Sequence, residues 1–468
     1  MEEDDDLNRE EIDELVEDFK AMADAGESRF FDSDDLEIII EELIARFDFT
    51  YATEAVEHGI RLYPHSSIFR ILKVKKLIME LEIGRAGREL DAIEHEFEPT
   101  AEFYLEKAFF YKMSGSEQDA LPLLKKAYRL APDDPEINFM LGGELVKKTD
   151  YRAALHHISF ALENDEFIDE QMFTVSYIFE DDKHYEEAVL FFEQLTKDFP
   201  LSKGCWFALG LAYSWTKQYE QAIEAYEYAI SLDEETSTAY FNIGNVYFEM
   251  KDYPRALKYY QETLRLDDQD YHAMSGVGDC YFAMNQYDKA LECYHQALLL
   301  EPNTIDAIMG IITILKETGR AEEAEEFIKK SFSISPQSFD LLFDVLPFYE
   351  EEEQISKMKE LFQLTIKQLK NKEDFLKFFT IYCTANERLC KMGIELLEEY
   401  LDDEEVTHVL PYLLAALHYL IGNISEANNY LKTALLINYE DHKMFLSLHP
   451  SLEELTVVQN LIELYHPN

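Results

Sequence analysis

Cysteines and long apolar runs are what this chain most clearly lacks. Its 468 residues include five cysteines, scattered and without a Cys-x-x-Cys pair, so neither a disulfide framework nor a zinc or redox motif is indicated. No run of about 18 apolar residues occurs, and the acidic start Met1–Asp6 has neither the basic nor the apolar part of a secretory signal. We therefore expect a reducing, cytoplasmic location.

Basic residues are also scarce. The chain has 42 Lys and Arg against 95 Asp and Glu, which gives a formal net charge of −53 at pH 7. A field of that sign repels phosphate backbones and anionic lipid head groups, so we expect no nucleic-acid ligand and no membrane surface, whereas basic protein partners are favoured. With 47% hydrophobic residues, the chain still has the composition of a folded protein.

Recognisable catalytic and metal-binding patterns are missing as well. The sequence contains no Gly-rich phosphate loop and no local Ser/His/Asp order. His156 and His157 are adjacent, so they point about 100° apart on a helix and do not make a metal-ligand set. We predict a protein that is not an enzyme and has no cofactor or metal. A non-catalytic subunit of an enzyme complex is the weaker alternative.

What the sequence has in abundance is internal repetition. Gly210, Gly244 and Gly278 recur at intervals of 34 residues, and alanine holds the twentieth place of nine consecutive windows from Ala52 to Ala324. Each window carries two short amphipathic segments. Because such a unit cannot bury its apolar face alone, strict repetition at this period predicts an all-α solenoid of stacked helix pairs. The three glycines lie on the packing stripe of their helices, so we predict that their role is architectural.

The repeat frame divides the chain into four segments. An acidic segment, 1–32, contains one predicted helix from about Arg9 to Ala25. Nine in-phase repeat units fill 33–338, and three degenerate units follow in 339–441. Residues 442–468 are predicted to form a C-terminal capping helix, because a terminal unit must cover the open end of the stack.

At this point the residues resemble a known family, the tetratricopeptide repeat proteins, here of the bacterial-type multi-repeat scaffold. The positions that carry the resemblance in the window 203–236 are Trp206, Leu209, Gly210, Tyr213, Ala222, Tyr226 and Ala229. The resemblance covers about residues 33–441. It implies a right-handed superhelical solenoid of about twelve helix-turn-helix units, in which the first helix of each unit lines a concave groove.

Groove positions follow from helical geometry, because the second, fifth, ninth and twelfth places of each first helix point away from the packing stripe. The candidate groove residues are Phe139, Phe173, Tyr177, Phe207, Leu211, Phe241, Asn245, Phe248, His272, Asp279 and Phe282. Aromatic side chains interleaved with polar groups favour the binding of a peptide or helix of another protein. The alternative is that these rings only pack between neighbouring helices.

Together these features predict a non-catalytic, cytoplasmic scaffold that captures a basic or apolar peptide in its groove. The net charge motivates one alternative, an acidic holdase or electrostatic chaperone for basic proteins. Nothing in the sequence indicates an oligomeric state or names the partner.

Overall fold

The structure is a computed structural model that describes residues 9–466 apart from 28, 166, 335–338, 352–354, 368, 370, 402 and 404. In this part of the chain there are 28 α-helices and two short 3-10 helices, and no β-strand. The all-α fold expected from the repeat is therefore confirmed. Helix α1 spans Arg9–Asp24, close to the predicted bounds.

Twelve first helices and twelve second helices alternate from α2 to α25. The first helices are α2 (Ser33–Ala45), α4 (Ile68–Met79), α6 (Ala101–Met113), α8 (Pro135–Lys147), α10 (Phe167–Asp181), α12 (Lys203–Trp215), α14 (Ser237–Glu249), α16 (Tyr271–Ala283), α18 (Ile305–Glu317), α20 (Phe339–Glu351), α22 (Lys372–Cys383) and α24 (Leu410–Leu420). The second helices are α3 (Phe49–Leu62), α5 (Ile83–Glu96), α7 (Ala120–Leu130), α9 (Tyr151–Asn164), α11 (Tyr185–Asp198), α13 (Tyr219–Leu232), α15 (Tyr253–Leu266), α17 (Tyr287–Leu300), α19 (Ala321–Ile334), α21 (Ile355–Ile366), α23 (Glu387–Glu398) and α25 (Ile424–Ile437).

The chain divides into two compact units, Met1–Val246 and Tyr247–Asn468, here called the N-terminal and C-terminal units. In the N-terminal unit each first helix packs on its own second helix, as α12 does on α13, and on the neighbouring first helix, as α10 does on α12. The C-terminal unit repeats this arrangement, with α16 against both α17 and α18.

Many of the helices begin at a side chain that caps the first turn. Asp134 accepts a hydrogen bond from the backbone N–H of Ile137 at 2.9 Å, and Asp270 accepts one from Ala273 at 2.8 Å. Such capping oxygens satisfy N–H groups that have no partner within the helix. Capping residues at these helix starts thus mark boundaries of the repeats in the local sequence.

The turn that follows a first helix repeatedly uses a left-handed backbone conformation. Positive φ angles recur every 34 residues at Phe47, Leu81, Gly115, Thr149, Lys183, Lys217, Lys251, Asn285 and Gly319. This conformation is usual for glycine just past a helix C-terminus and strained for residues with a side chain. Only two of the nine positions carry the residue that the backbone favours.

Lys183→Gly is therefore expected to raise the free energy of unfolding by about 0.5–1 kcal/mol, because it removes left-handed strain at an exposed position with φ of 57°. The matched control is Asp182→Gly at the preceding exposed residue, where φ is not positive. That change should lower the stability by a similar amount, since it only adds backbone freedom to the unfolded chain. Urea denaturation of both variants checks the pair, and equal effects of one sign would contradict it.

Glycines in the first helices make room for buried tyrosines of the second helices. A Cβ added at Gly210 would lie 2.5 Å from the ring of Tyr226, and one at Gly278 would lie 2.6 Å from the ring of Tyr294. Both tyrosines are almost fully buried. These contacts explain why the two glycines sit on the packing stripe and give them the architectural role predicted from the sequence.

The two ends of the repeat array carry additional helices. Helix α1 packs on α2 and α3 and buries Val16, Phe19 and Met22. At the other end the predicted single capping helix is replaced by three short ones, α26 (His442–Ser447), α27 (Ser451–Glu454) and α28 (Thr456–Leu464). Helix α28 packs on α25, the second helix of the last repeat.

Candidate functional site

An open cavity of the N-terminal unit lies where three successive first helices begin. It has a volume of about 480 Å³ and opens to solvent between α10, α12 and the start of α14. Its lining residues are Asp169, Glu170, Phe173, Tyr177, Lys203, Gly204, Phe207, Asp233, Glu235, Thr236, Ser237 and Thr238. We call it the acidic aromatic pocket.

The apolar wall of the pocket consists of three aromatic rings from the predicted groove. Phe173 and Tyr177 are one helical turn apart on α10, and their side chains are 43% and 53% exposed. Their ring centroids are 6.0 Å apart in an edge-to-face arrangement. Phe207 of α12 is half-buried, with its ring 5.6 Å from that of Tyr226. The wall therefore offers apolar surface to a ligand, and the ring of Phe207 is held in place by its contact with Tyr226.

A close approach of α10 and α12 forms one side of the pocket. The backbone N–H of Gly204 donates to the Asp169 carboxylate, at 3.1 Å to Oδ1 and 3.3 Å to Oδ2, and the Ser202 hydroxyl donates to the same carboxylate. A Cβ at Gly204 would lie 1.9 Å from the backbone oxygen of Asp169. Only glycine allows this approach, so Gly204 sets the spacing of the two helices here.

The pocket carries more negative than positive charge. Lys203 Nζ lies 3.0 Å from Asp233 Oδ2 and 3.5 Å from Glu170 Oε1. The hydrogen bond to Asp233 raises the pKa of Lys203, and the same bond lowers the pKa of Asp233. Four carboxylates and one ammonium line the cavity, so a formal charge of −3 remains after this pairing (1 − 4). The pocket is suited to a cation and unsuited to an anion.

The eleven groove candidates fall into three groups, which are separated by their surroundings. Phe173, Tyr177 and Phe207 line the pocket. Phe139 is only 4% exposed and packs in the apolar core, so its assignment to an open groove is corrected: neighbouring helices cover it. The remaining candidates are half-buried, except for the exposed His272, and they are Leu211, Phe241, Asn245, Phe248, Asp279 and Phe282.

Asp279 of the C-terminal unit has an environment of its own. Its Oδ1 accepts a hydrogen bond of 2.6 Å from the buried Tyr294 hydroxyl. Burial raises the pKa of Asp279 to about 6, and the charge of Asp306 adds to the effect, while the hydrogen bond from Tyr294 opposes it. Tyr294 therefore has two structural roles: its ring fills the space beside Gly278, and its hydroxyl binds the half-buried carboxylate of Asp279.

The charged members of the pocket were not among the sequence candidates. Glu170 and Gly204 occupy the second place of their windows, which is a groove position, so helical geometry alone could have found them. Lys203 and Asp233 stand at a helix start and in a turn, where no helical stripe applies. They lie close together because α12 and α13 of one unit pack antiparallel, which returns the chain to the start of α12.

Neither a metal site nor a membrane-spanning helix is found among the described residues. No group of three or more His, Cys, Asp or Glu side chains in that part of the chain could hold a metal ion. None of the helices seen there is long and apolar enough to span a membrane.

Repeated helix pairs with glycine–tyrosine packing define a helical-repeat protein. Residues 202–269 match the model of the tetratricopeptide repeat, and residues 240–341 match the model of the cilia and flagella-associated protein 70 middle TPR-like domain. Residues 202–341 of this chain therefore contain tetratricopeptide-type repeats. Repeats of this type generally mediate protein–protein interaction, and scaffolds built from them are generally non-catalytic.

The solved structures to which this chain is similar are distant in sequence. The crystal structure of MamA is 23% identical, covers 33% of this chain and 91% of its own, and has a TM-score of 0.31. A human IFIT1 dimer with PPP-AAAA is 15% identical, covers 92% of this chain and 95% of its own, and has a TM-score of 0.39. A search of curated proteins found no match.

Proposed function

We propose that this protein is a non-catalytic scaffold that binds a partner protein through the acidic aromatic pocket. The pocket would take a basic side chain of a peptide or helix together with a neighbouring apolar one. The observation that carries the proposal is the coincidence, in one open cavity, of three accessible aromatic rings and an excess of carboxylates. Neither feature alone distinguishes a binding site from ordinary packing or an ordinary acidic surface.

The two features act on different parts of the same ligand side chain. Lysine and arginine have apolar stems, which can lie on Phe173 and Phe207 while the charged head remains in contact with water. A cation placed over an aromatic face contributes about 0.5–1 kcal/mol at an exposed site. The carboxylates of Glu170 and Glu235 add attraction that also speeds the encounter with a basic partner. An anionic ligand would instead meet an uncompensated charge of the same sign.

The total charge of −53 favours a second candidate, a holdase that attracts basic proteins over its whole acidic surface. The two functions differ in their dependence on salt. Exposed charges are largely screened at about 0.5 M salt, so binding by a holdase should collapse there, whereas binding in the pocket keeps its apolar part. Exclusion of nucleic acid as a ligand and a cytoplasmic location stay predictions from charge and composition, and the comparisons lend the former no support.

A peptide selection tests the pocket. A library of random dodecapeptides displayed on phage, selected on the wild-type protein, should be enriched in sequences with lysine or arginine beside an apolar residue. The double variant Phe173→Ala/Phe207→Ala should bind synthetic peptides of the selected sequences about 30-fold more weakly, because central aromatic anchors contribute about 2 kcal/mol or more. Titration calorimetry at about 0.15 M salt provides the affinities.

The control is Phe30→Ala, which removes an exposed phenylalanine of the same unit that does not line the pocket. Its affinity should equal that of the wild type. If the double variant binds the selected peptides as tightly as the control does, the pocket is not the binding site.

A further inference from the structure

A second acidic cluster lies on the preceding first helices of the N-terminal unit. Helices α2, α4, α6 and α8 contribute Glu41, Lys75, Glu106 and Glu136, respectively, which we call the Glu106 cluster. Lys75 Nζ lies 3.3 Å from Glu41 Oε1. Glu41, Lys75 and Glu136 occupy the ninth, ninth and second places of their windows, the same groove places that supply the acidic aromatic pocket. These three residues therefore belong to the face that would meet a ligand, and Glu106, at the sixth place of its window, is buried beside that face.

Glu106 is the unusual member of this cluster. Its side chain is only 8% exposed, and its Oε2 is buried without a hydrogen-bond partner. A buried polar atom without a partner is costly, and native proteins rarely keep one unless it has a use. Within the cluster, three carboxyl groups share the one ammonium of Lys75, so the cluster lacks positive charge.

The charges around Glu106 favour a cationic ligand. Burial raises the pKa of Glu106 to about 7, Lys75 opposes this, and Glu136 and Glu41 add to it. For Lys75 burial lowers the pKa, but Glu41, Glu136 and Glu106 outweigh burial and raise it overall. Burial also raises the pKa of Glu136, against the effect of Lys75. An additional positive charge would thus oppose the raised pKa of Glu106 and of Glu136.

We propose that the Glu106 cluster is a second ligand site, which receives a lysine or arginine side chain of the partner and pairs its charge with Glu106. The inference rests on the proposed function for its basic ligand, but it uses different residues. A side chain suits the geometry better than a metal ion, because the described residues contain no group of three carboxylate, histidine or cysteine ligands placed to hold one. The long stem of a basic side chain can instead reach a single buried oxygen.

Binding at this site is coupled to the release of a proton. Glu106 is about half protonated near pH 7, and the carboxylate, not the acid, pairs with a cation. When the basic side chain enters, the carboxyl O–H bond breaks, the proton passes to the buffer, and the ligand cation takes its place. Affinity should accordingly rise with pH up to about pH 7, by at most about tenfold per pH unit, and level off above it.

The test uses a capped octapeptide of alternating arginine and glycine, titrated calorimetrically at pH 7 in two buffers with different ionisation heats. Relative to wild type, Glu106→Gln should weaken binding about tenfold, the usual effect of losing one charge-assisted hydrogen bond. It should also abolish a release of about half a proton. The charge-matched control Glu54→Gln alters an exposed glutamate of the second helix α3 and should change neither quantity. A peptide with citrulline in place of arginine should bind weakly to all variants.

Three outcomes test the proposed site at Glu106. Equal affinity and equal proton release in Glu106→Gln and Glu54→Gln overturn the second site. Release of the same Glu106-dependent proton by magnesium chloride alone overturns the assignment to a side chain. If Phe173→Ala/Phe207→Ala binds like wild type while Glu106→Gln does not, the acidic aromatic pocket fails and the Glu106 site stands. The Glu106→Gln change is not expected to impair folding, and a thermal melt of each variant verifies this.

Discussion

Gly204→Ala is expected to lower the free energy of unfolding by about 2–4 kcal/mol and to weaken binding in the acidic aromatic pocket. The new Cβ would lie 1.9 Å from the backbone oxygen of Asp169, far closer than any contact allows. Because that atom belongs to a helix backbone and not to a flexible side chain, α10 and α12 must move apart. The movement also breaks the hydrogen bonds from Gly204 to the Asp169 carboxylate.

Gly84→Ala provides a control with the same chemical change at the same helical position. Gly84 follows Ile83, the first residue of α5, as Gly204 follows Lys203, the first residue of α12. The nearest atom to a Cβ at Gly84 is Arg88 Nη1 at 3.9 Å, so the methyl group fits. Alanine should raise stability there by up to about 1 kcal/mol, since it is the better helix former. Far-ultraviolet circular dichroism in urea measures both, and a Gly204→Ala protein as stable as wild type would falsify the fixed helix spacing.

Glu106→Gln is expected to stabilise the protein by about 3–4 kcal/mol at pH 8 and to have little effect at pH 4. In the unfolded chain this carboxyl group titrates near its ordinary value of 4.5, whereas in the folded protein its pKa is about 7. The folded state therefore holds its proton more firmly. Below pH 4.5 both states are protonated and Glu106 causes no loss of stability.

As the pH rises from 4.5 to 7, the unfolded state releases its proton first, and each pH unit favours it by about 1.4 kcal/mol. Above pH 7 the folded state is ionised as well, and the loss reaches its full size. Glutamine does not ionise, so Glu106→Gln should show a flatter decline of stability over this window. Urea denaturation at pH 4, 6 and 8 measures the difference, with Glu54→Gln as the charge-matched control. Parallel pH profiles of wild type and Glu106→Gln would contradict the buried, raised-pKa carboxyl.

Gly204 and Glu106 differ in what they contribute to the protein. Gly204 is required by the distance between two helices, and its replacement harms both the fold and the pocket. Replacing Glu106 has the opposite effect on stability, because above neutral pH the fold would be more stable without the charge of this residue. A buried carboxyl group that costs stability beside ligand-facing residues is what a binding function explains and a purely structural role does not.

The helical repeat could be read from the sequence because its signals are local. The recurrence of Gly210, Gly244 and Gly278, the alanines and the two amphipathic segments of each window depend on a period that helix geometry sets. The same reasoning placed the N-terminal helix within one residue of its observed end. The candidate site was only partly accessible: helical stripes indicate which face a residue takes, and so they found Phe173, Tyr177 and Phe207.

The composition of the pocket and the burial of single residues were decided by the tertiary structure. Glu170 belongs to the preceding unit, and it meets Lys203 only because one unit stacks on the next. Phe139 occupies the fifth place of its window, as the exposed Phe173 does in the next, yet neighbouring helices bury Phe139. Glu106 reads in the sequence as an ordinary charged residue of a helix. The sequence by itself therefore determined the all-α repeat, whose forces act between near neighbours in the chain, whereas charge pairing and burial arise between units and appear only when they are packed.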